Sequence, residues 1–169
     1  MPEPSQAAKA TGRRSVTGTN TEKNMEKFDF GDGNGPVQAH RHENPDGSAG
    51  GWVADTAYVG GNAYVWGNAR VWGNARVEGT ARVWGNAYVW GSARVEGTAY
   101  VGKTPIVVTG LRWDVTITDQ HIGIGCQTHP TKDWAKWTPK QVRHMNPDAE
   151  KFWRKHKTAI IALAKAHQH

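Results

Sequence analysis

The stretch VWGNARVWGNARVEGTARVWGNAYVWGSARVEGTAYV, residues 65–101, repeats a six-residue unit with almost no variation. Each unit runs Ala, a variable residue, Val, a second variable residue, and then Gly followed by Asn, Thr or Ser. Valine recurs every six residues from Val53 to Val107. An amphipathic helix needs an apolar residue about every 3.6 positions, so this spacing is incompatible with a helix. It predicts a short strand in which Ala and Val share one face, followed by a tight corner at Gly.

The variable positions carry a second, longer period. Glu follows Val77 and Val95, which are eighteen residues apart, and Trp follows Val71 and Val89 at the same separation. Three six-residue units therefore make one full repeat of the pattern. We expect three strands per turn of the chain, and hence a three-sided parallel β-helix over residues 52–108 whose narrow interior is filled by Val and Ala.

This winding divides the variable residues among three outer faces. The first face carries Trp52, Arg70, Trp72, Tyr88 and Trp90. The second face carries Tyr58, Arg76, Glu78, Arg94 and Glu96. The third face carries Tyr64, Trp66, Arg82, Trp84 and Tyr100. The first and third faces are thus aromatic with interspersed arginine, and the second is a ladder of opposite charges.

The segments outside the repeat differ from it in composition. Residues 1–24 are polar, small and aperiodic, which predicts a disordered leader. Residues 25–51 are rich in turn-forming residues and contain two aromatic anchors, and we expect them to cap one end of the repeat. Residues 109–130 predict a β-hairpin that turns at Asp119-Gln120, and residues 131–169 predict a helical C-terminal module.

Two proline-containing pairs mark helix starts in this C-terminal module. Thr138-Pro139 and Asn146-Pro147 each place a capping residue before a proline, which the first turn of a helix accepts. After the second pair, apolar residues recur at spacings of three and four, which predicts an amphipathic helix. The predicted buried stripe consists of Ala149, Trp153, His156, Ile160 and Leu163. The expected fold class is therefore mainly β, with a helical appendage.

Two resemblances follow from these motifs. The hexads GNARVW and GTARVW resemble those of the hexapeptide-repeat family, whose members fold as left-handed parallel β-helices. The wider string from KFDFGDGNGPVQAH through GGWVADTAYV and GNARV to ITDQHIGIGCQTHP resembles uncharacterised accessory proteins of phages and prophages with GNAxVxG repeats. The first resemblance implies left-handed winding. The second implies a viral protein that acts in the host cytoplasm.

The charge balance restricts the partners that we expect. The net charge is +6, and residues 105–169 contain ten basic and five acidic side chains. Such an excess attracts nucleotides, nucleic acid or acidic protein surfaces, or else it is a solvated helical face. The single cysteine, Cys126, excludes an internal disulfide. No apolar run approaches the roughly 18 residues of a membrane span, which predicts a soluble protein without membrane contact.

Histidine placement argues against the chemistry for which the hexapeptide-repeat family is best known. Its acyltransferases use acetyl-CoA and a histidine base beside the coils, but no histidine lies between His42 and His121. A base would have to come from His40, His42, His121 or His129. We therefore predict a non-enzymatic protein without a cofactor, with the acyltransferase as an alternative, because a fold alone does not establish an activity.

The same histidines, together with the cysteine, bear on metal binding. His40, His42, Cys126 and His129 are of the residue types that bind zinc. They form two pairs that come from opposite ends of the repeat. We therefore predict no metal site, and name these four residues as the ones that a zinc site would use.

The aromatic faces suit either a ligand or a second copy of the chain. Aromatic rings stack on nucleobases and guanidinium groups hold phosphates, which predicts a groove for a nucleotide-like anion. The candidate ligand-binding residues are Arg70, Trp72, Arg76, Arg82, Trp84, Tyr88, Trp90 and Arg94. Large exposed apolar patches also mark subunit contacts, which predicts a homotrimer with one aromatic face turned inward. The contact strip is then either Tyr64, Trp66, Trp84 and Tyr100, or Trp72, Tyr88 and Trp90.

Together these observations predict a phage-type, non-enzymatic binding protein that sequesters a nucleotide-like anionic ligand, such as a host defence signal, between subunits. A rigid repeat favours this role because preorganised side chains lose little entropy on binding. Two alternatives remain. One is a structural or protein-binding phage component whose faces and C-terminal helix contact a host or phage protein. The other is the acetyl-CoA-dependent acyltransferase.

Overall fold

The structure is a computed structural model that describes residues 26–169. The leader predicted at residues 1–24 and the first residue of the predicted cap, Met25, lie outside the described residues. The described chain is mainly β, with parallel sheets in its middle and its longest helix at its C-terminal end. The predicted mainly-β class with a C-terminal helix is confirmed.

Three antiparallel strands precede the repeat. They are β1 (Glu26–Phe28), β2 (Val37–Glu43) and β3 (Ala49–Ala54). Strand β3 also pairs in parallel with the repeat, with Trp52 opposite Arg70. The N-terminal segment therefore continues one sheet of the repeat, which is the sheet of the first face.

Eight two-residue strands make up the repeat region, and each consists of a variable residue and the valine that follows it. They are β4 (Tyr58–Val59), β5 (Tyr64–Val65), β6 (Arg70–Val71), β7 (Arg76–Val77), β8 (Arg82–Val83), β9 (Tyr88–Val89), β10 (Arg94–Val95) and β11 (Tyr100–Val101). Strands eighteen residues apart pair in parallel, as Arg76 does with Arg94 and Tyr64 with Arg82. The chain therefore visits three sheets in turn, and the predicted eighteen-residue period is confirmed.

Alanine and valine fill the interior of the repeat, as the alternation predicts. From Ala63 to Val101, each alanine and valine of the repeat is at most 1% exposed. Full burial of a valine side chain stabilises a fold by roughly 1.5–3 kcal/mol relative to exposure. Because this contribution recurs in every unit, a chain with few large aliphatic residues still has a continuous core.

Glycine is required at the corners for two reasons. Gly79 has a φ of +69°, in the left-handed region where a residue with a Cβ atom is strained. A Cβ atom there would also lie 2.8 Å from the carbonyl oxygen of Gly97, in the corner stacked beside it. The corners thus approach each other too closely for a larger residue.

Side chains of the N-terminal segment close one end of the repeat. The Nε2 of His42 donates to the carbonyl oxygen of Ala63 at 3.0 Å, and the Oδ1 of Asn44 accepts from the N–H of Val65 at 2.9 Å. Both side chains are buried. Backbone groups at the end of a parallel stack have no further strand to pair with, so they need such partners.

Threonine side chains act in the same way at the opposite end. The N–H of Tyr88 donates to the Oγ1 of Thr104 at 3.2 Å, and the N–H of Arg94 donates to the Oγ1 of Thr116 at 3.0 Å. Both threonines follow the last repeat strand in the chain. The C-terminal part of the molecule therefore covers exposed strand edges that would otherwise favour aggregation.

A four-stranded antiparallel sheet follows the repeat. Its strands are β12 (Ile106–Val108), β13 (Val115–Ile117), β14 (His121–Ile124) and β15 (Gln127–Pro130). The turn predicted at Asp119-Gln120 joins β13 to β14. One expectation was wrong: Val107, which continues the valine spacing, pairs antiparallel with Thr116. The parallel winding ends before it. Pro105 stands where the repeat has Ala and lacks the N–H that these alanines donate to the carbonyl oxygen three residues earlier in the corner, as Ala99 donates to Glu96.

Two helices pack on this sheet, α1 (Thr131–Lys136) and α2 (Ala149–Gln168). Helix α2 begins two residues later than the Asn146-Pro147 pair predicts, with Asp148 instead of Asn146 at the N-cap position. Thr138-Pro139 begins no helix but a succession of turns, although the N–H and hydroxyl of Thr138 both donate to the Oε1 of Gln141, at 2.8 and 3.0 Å, as in a capping box. Within residues 26–169, no helix is long and apolar enough to cross a membrane.

The buried face of α2 is rotated from the predicted stripe. Leu163 is 40% exposed and His156 is half-buried, whereas Phe152 and Ala164 are buried. The ring of Phe152 meets the ring of Trp113 edge to face, with centroids 5.1 Å apart. The helix turns this face inward because the loop before β13 offers an aromatic partner there, which helical spacing alone does not reveal.

Candidate ligand-binding surface

The N-terminal strands cover much of the first face. The ring of Phe28 stacks on Trp52 with centroids 4.4 Å apart, and the ring of Phe30 stacks on Trp72 at 5.3 Å. Trp72 is only 8% exposed. The prediction that Trp72 offers a free ring to a ligand or a second subunit is therefore wrong, because Phe30 occupies that place.

Arg70 is enclosed by the same aromatic cluster. Its Nη1 donates to the carbonyl oxygen of Phe30 at 3.2 Å, and its guanidinium carbon lies 5.1 Å from the ring centroid of Phe28. The other aromatic neighbour of this guanidinium is Tyr88, at 5.3 Å. Arg70 thus joins the N-terminal segment to the repeat, and of the first face Tyr88 and Trp90 remain exposed.

The second face is a ladder of ion pairs, as its sequence suggests. The Nε of Arg76 donates to the Oε1 of Glu78 at 2.6 Å, and the Nε of Arg94 donates to the Oε1 of Glu96 at 2.9 Å. Each arginine of this face therefore has a carboxylate two residues away along its own strand. An anionic ligand would have to compete with that carboxylate, which makes Arg76 and Arg94 poor candidates for binding one.

The third face presents an arginine between two tyrosines. The guanidinium carbon of Arg82 lies 5.9 Å from the ring centroid of Tyr64 and 5.4 Å from that of Tyr100. Its Nη1 donates to the hydroxyl oxygen of Tyr100 at 2.9 Å. Among residues 26–169, no acidic side chain forms an ion pair with Arg82. This positive charge is exposed and is not neutralised by a contacting carboxylate.

Two tryptophans flank this arginine on the third face. Trp66 packs against Tyr64 with ring centroids 4.5 Å apart. Trp84 is 51% exposed, and the edge of its ring borders Gly102, where an added Cβ atom would lie 3.1 Å from the Cε2 of Trp84. Tyr100 is 41% exposed. The third face is therefore an exposed aromatic strip with one cation at its centre.

A carboxylate that sequence reasoning missed lies at the end of this strip. Asp119 accepts hydrogen bonds from the N–H of Gly102 at 2.9 Å and from the N–H of Lys103 at 3.2 Å. Its charge is thus engaged by backbone donors beside Trp84. Only the tertiary fold reveals this contact, since seventeen residues separate Asp119 from Gly102.

The four residues named for a zinc site are engaged elsewhere. The Nδ1 of His40 pairs with Asp55 at 3.0 Å, and His42 donates to the backbone of the repeat. Cys126 is exposed, and the Nε2 of His129 lies 3.3 Å from the Oε1 of Gln127. Across residues 26–169, no group of three or more His, Cys, Asp or Glu side chains is arranged to hold a metal ion.

The two histidines of the antiparallel sheet are neutral at neutral pH. Burial lowers the pKa of His121 and of His129 below the ordinary value, and the nearby carboxylate of Asp133 only partly opposes this. His129 lies against the rings of Trp134 and Trp137, with centroids 5.6 and 4.9 Å away. Cys126 is the one nucleophilic thiol of the chain, and no contact in the described part of the molecule pairs it with a histidine base.

The eight candidate ligand-binding residues thus fall into three environments. Arg70 and Trp72 are covered, Arg76 and Arg94 are ion-paired, and the remaining four are exposed: Arg82, Trp84, Tyr88 and Trp90. Of these four, Arg82 and Trp84 lie together on the third face with Tyr64, Trp66 and Tyr100. Comparison with known proteins adds no relative, since the chain matches no protein-family model, no curated protein and no solved structure.

Proposed function

We propose that the protein is a non-enzymatic binding protein whose third face holds a nucleotide-like anion. One observation carries this proposal: the exposed guanidinium of Arg82 lies between Tyr64 and Tyr100 without an acidic partner in the described chain. A guanidinium group binds a phosphate through two parallel hydrogen bonds, and exposed rings stack on a base. Trp84 and Tyr100 supply such rings on either side of the charge.

The three-sheet winding supports sequestration over turnover. Side chains on short strands in a close-packed parallel stack are preorganised, so a ligand is bound with little loss of conformational entropy. The resemblance of the hexads to the hexapeptide-repeat family supports a left-handed β-helix, and the resemblance of the longer string supports a phage accessory protein that works in the host cytoplasm. The handedness is open to a direct test, because a crystal structure at side-chain resolution reads it from the order of the three sheets.

The binding proposal is tested by titrating the full chain with ADP and following both tryptophan fluorescence and heat of binding. Arg82→Ala should weaken binding by roughly ten- to a hundredfold, the range expected when a hydrogen bond to a charged group is lost. Arg76→Ala is the matched control, because Arg76 occupies the same position on the second face but is paired with Glu78. Equal losses in the two variants, or no heat with any nucleotide, would contradict the proposal.

A second role is self-association, most simply as a homotrimer with the third face inward. The supporting observation is that Trp84 and Tyr100 are 51% and 41% exposed on one strip with Tyr64 and Trp66. Monomeric proteins rarely leave a contiguous apolar strip open to water. The two roles are compatible, since a ligand can lie in a groove between subunits. The same strip also suits a host or phage protein, which is the structural alternative.

Sedimentation velocity at micromolar concentration decides this second role. Trp84→Ala should shift the protein toward monomer, whereas Trp90→Ala should not, because Trp90 is 52% exposed but lies on the first face. A monomer in the unsubstituted chain rules out self-association. The opposite pattern, with Trp90→Ala alone dissociating the oligomer, would move the interface to the first face.

A further inference from the structure

A cavity of about 420 Å³ lies in the C-terminal module, and the residues that line it belong to none of the three outer faces. It is bordered by the start of β14, by α1 and by the last turns of α2. The polar side chains on its wall are those of Gln120, His121, Thr131, Lys132, Lys165 and Gln168. No carboxylate is among the lining residues.

The antiparallel sheet brings the two central residues of this cavity together. His121 pairs across the sheet with Pro130, and the N–H of the next residue, Thr131, donates to the carbonyl oxygen of Gln120 at 2.8 Å. These two backbone contacts bring His121 and Thr131 to the same end of the sheet, where β15 leads into α1, and both residues line the cavity. Their separation in sequence is ten residues, so neither belongs to a local motif.

Two buried polar atoms of the residues that line this cavity have no hydrogen-bond partner within residues 26–169. The Nδ1 of His121 and the Oγ1 of Thr131 are both shielded from solvent, in side chains that are 8% and 7% exposed. Buried polar atoms are almost always paired in folded proteins, and leaving one unpaired is destabilising. A polar group that completes both bonds would therefore be favoured at this position.

The charged residues that border the cavity indicate which kind of ligand group it would bind. Lys132 and Lys165 border it, and neither forms an ion pair with an acidic side chain in the described chain. Burial and the charge of His129 lower the pKa of His121, whereas the carboxylate of Asp133 raises it. Asp133 is not on the cavity wall. Neutral His121 has one ring N–H, and in the Nδ1–H tautomer the unpartnered ring nitrogen is a hydrogen-bond donor.

The geometry points to an oxyanion site in this cavity, and a phosphate group is the ligand chemistry that fits it. The described residues that line the cavity carry an imidazole, a hydroxyl, two ammonium groups and two side-chain amides, all of which can donate to an anion, and none of them is acidic. This site uses none of the third-face residues. It therefore goes beyond the proposed function and does not rest on it.

The test uses inorganic phosphate at constant ionic strength, with chloride as the balancing anion. Phosphate binding is followed by calorimetry, and the state of His121 is followed by its imidazole ¹⁵N resonances. Binding should be saturable, and it should move the two ring nitrogens of His121 toward the Nδ1–H tautomer. Absence of both signals at millimolar phosphate would overturn the inference.

Three variants locate the site. Thr131→Val, which removes only the hydroxyl at nearly constant volume, and Lys165→Gln should each weaken phosphate binding by roughly tenfold. Lys155→Gln is the matched control, because Lys155 is an exposed residue of the same helix that is not on the cavity wall. Equal weakening in the Lys155 and Lys165 variants would show non-specific attraction to a basic helix and overturn the site.

Two further comparisons distinguish phosphate binding in the cavity from phosphate binding elsewhere on the protein. If Thr131→Val fails to fold, the exposed residue Lys165 still provides the comparison with Lys155. Arg82→Ala should leave phosphate binding unchanged, since Arg82 lies on the third face. Loss of phosphate binding in Arg82→Ala with retention in Lys165→Gln would overturn the cavity site and assign the anion to the third face instead.

Discussion

The repeat and the C-terminal module reach similar burial by opposite means. In the repeat, the core consists of Ala and Val delivered every six residues, and each layer contacts the layer eighteen residues away. In the module, the core is built from large side chains such as Trp134, Trp153 and Ile117, drawn from strands and helices far apart in the chain. The spacing of residues along the chain is therefore enough to place the core of the repeat, whereas the core of the module depends on contacts between residues far apart in the sequence.

The two cores therefore respond differently to damage. A defect in the repeat affects backbone hydrogen bonds on both sides of it, because every layer uses its neighbours as partners. A defect in the module removes contacts among aromatic rings, such as that between Trp134 and Trp153 at 5.0 Å. Substitutions in each region should therefore differ in how far the loss of structure spreads.

The largest effect is expected from Val83→Asp, in the middle of the repeat. Val83 is 0% exposed, so an ionised carboxylate there would be buried among Ala and Val without a partner. Such burial costs several kcal/mol and should unfold the repeat, with loss of the β-type circular dichroism spectrum. Thr80→Asp, at an exposed corner, is the control and should retain that spectrum. A folded Val83→Asp protein would refute the proposed interior.

Trp153→Ala should destabilise the module next most strongly. Trp153 is 1% exposed and its Nε1 donates to the carbonyl oxygen of Trp137 at 3.0 Å. Truncating a buried Trp costs about 3–5 kcal/mol. Leu163→Ala, on the exposed face of the same helix, should change the free energy of unfolding by less than about 0.5 kcal/mol.

Hydrogen exchange on the Trp153→Ala protein tests whether the repeat and the module unfold separately. If the module and the repeat are separate cooperative units, amides of residues 106–168 should lose protection while those of residues 64–95 keep it. Equal loss in both regions would show one cooperative unit. That result would mean that the threonine contacts at the junction, such as Thr116 to Arg94, couple the two cores.

Alanine substitutions at two corner glycines should have a smaller effect on stability, and the difference between them measures how closely the corners stack. Gly79→Ala and Gly97→Ala introduce the same methyl group at nearly the same φ, +69° and +67°. At Gly79 the methyl meets the carbonyl oxygen of Gly97 at 2.8 Å, whereas at Gly97 it meets nothing within 4 Å. Gly97→Ala should cost about 1–2 kcal/mol from the backbone alone, and Gly79→Ala more. Equal urea midpoints for the two variants would refute tight stacking of the corners.

The smallest effect is a pH dependence carried by His121. Its pKa is lowered in the folded protein by burial, so below the unfolded value of about 6.5 the unfolded chain binds more protons than the folded one. Stability should therefore be unaffected by this residue above that pH and should fall as the pH drops toward the folded pKa. His121→Gln should flatten the slope in urea unfolding curves. An unchanged slope would show that another group titrates.

The repeat was predictable from sequence to the level of single residues. Strand alternation decides that Ala75 and Val77 point inward while Arg76 points outward, and this geometry is local to the chain. The eighteen-residue period likewise predicted that Arg76 pairs with Arg94. The composition of the second face followed directly, since Glu78 lies two residues from Arg76 on the same strand.

What the sequence by itself determined is therefore the inside, the outside and the register of the repeat. The tertiary structure decided which outer residues remain accessible: Phe30 covers Trp72 on the first face, whereas Trp84 on the third face is left 51% exposed by the described part of the chain. It also decided that Thr131 and His121 line the same cavity and that Leu163 faces outward. The physical reason is that strand alternation is a property of neighbouring residues, whereas covering and cavity formation depend on the packing of distant segments, for which the periodic pattern carries no signal.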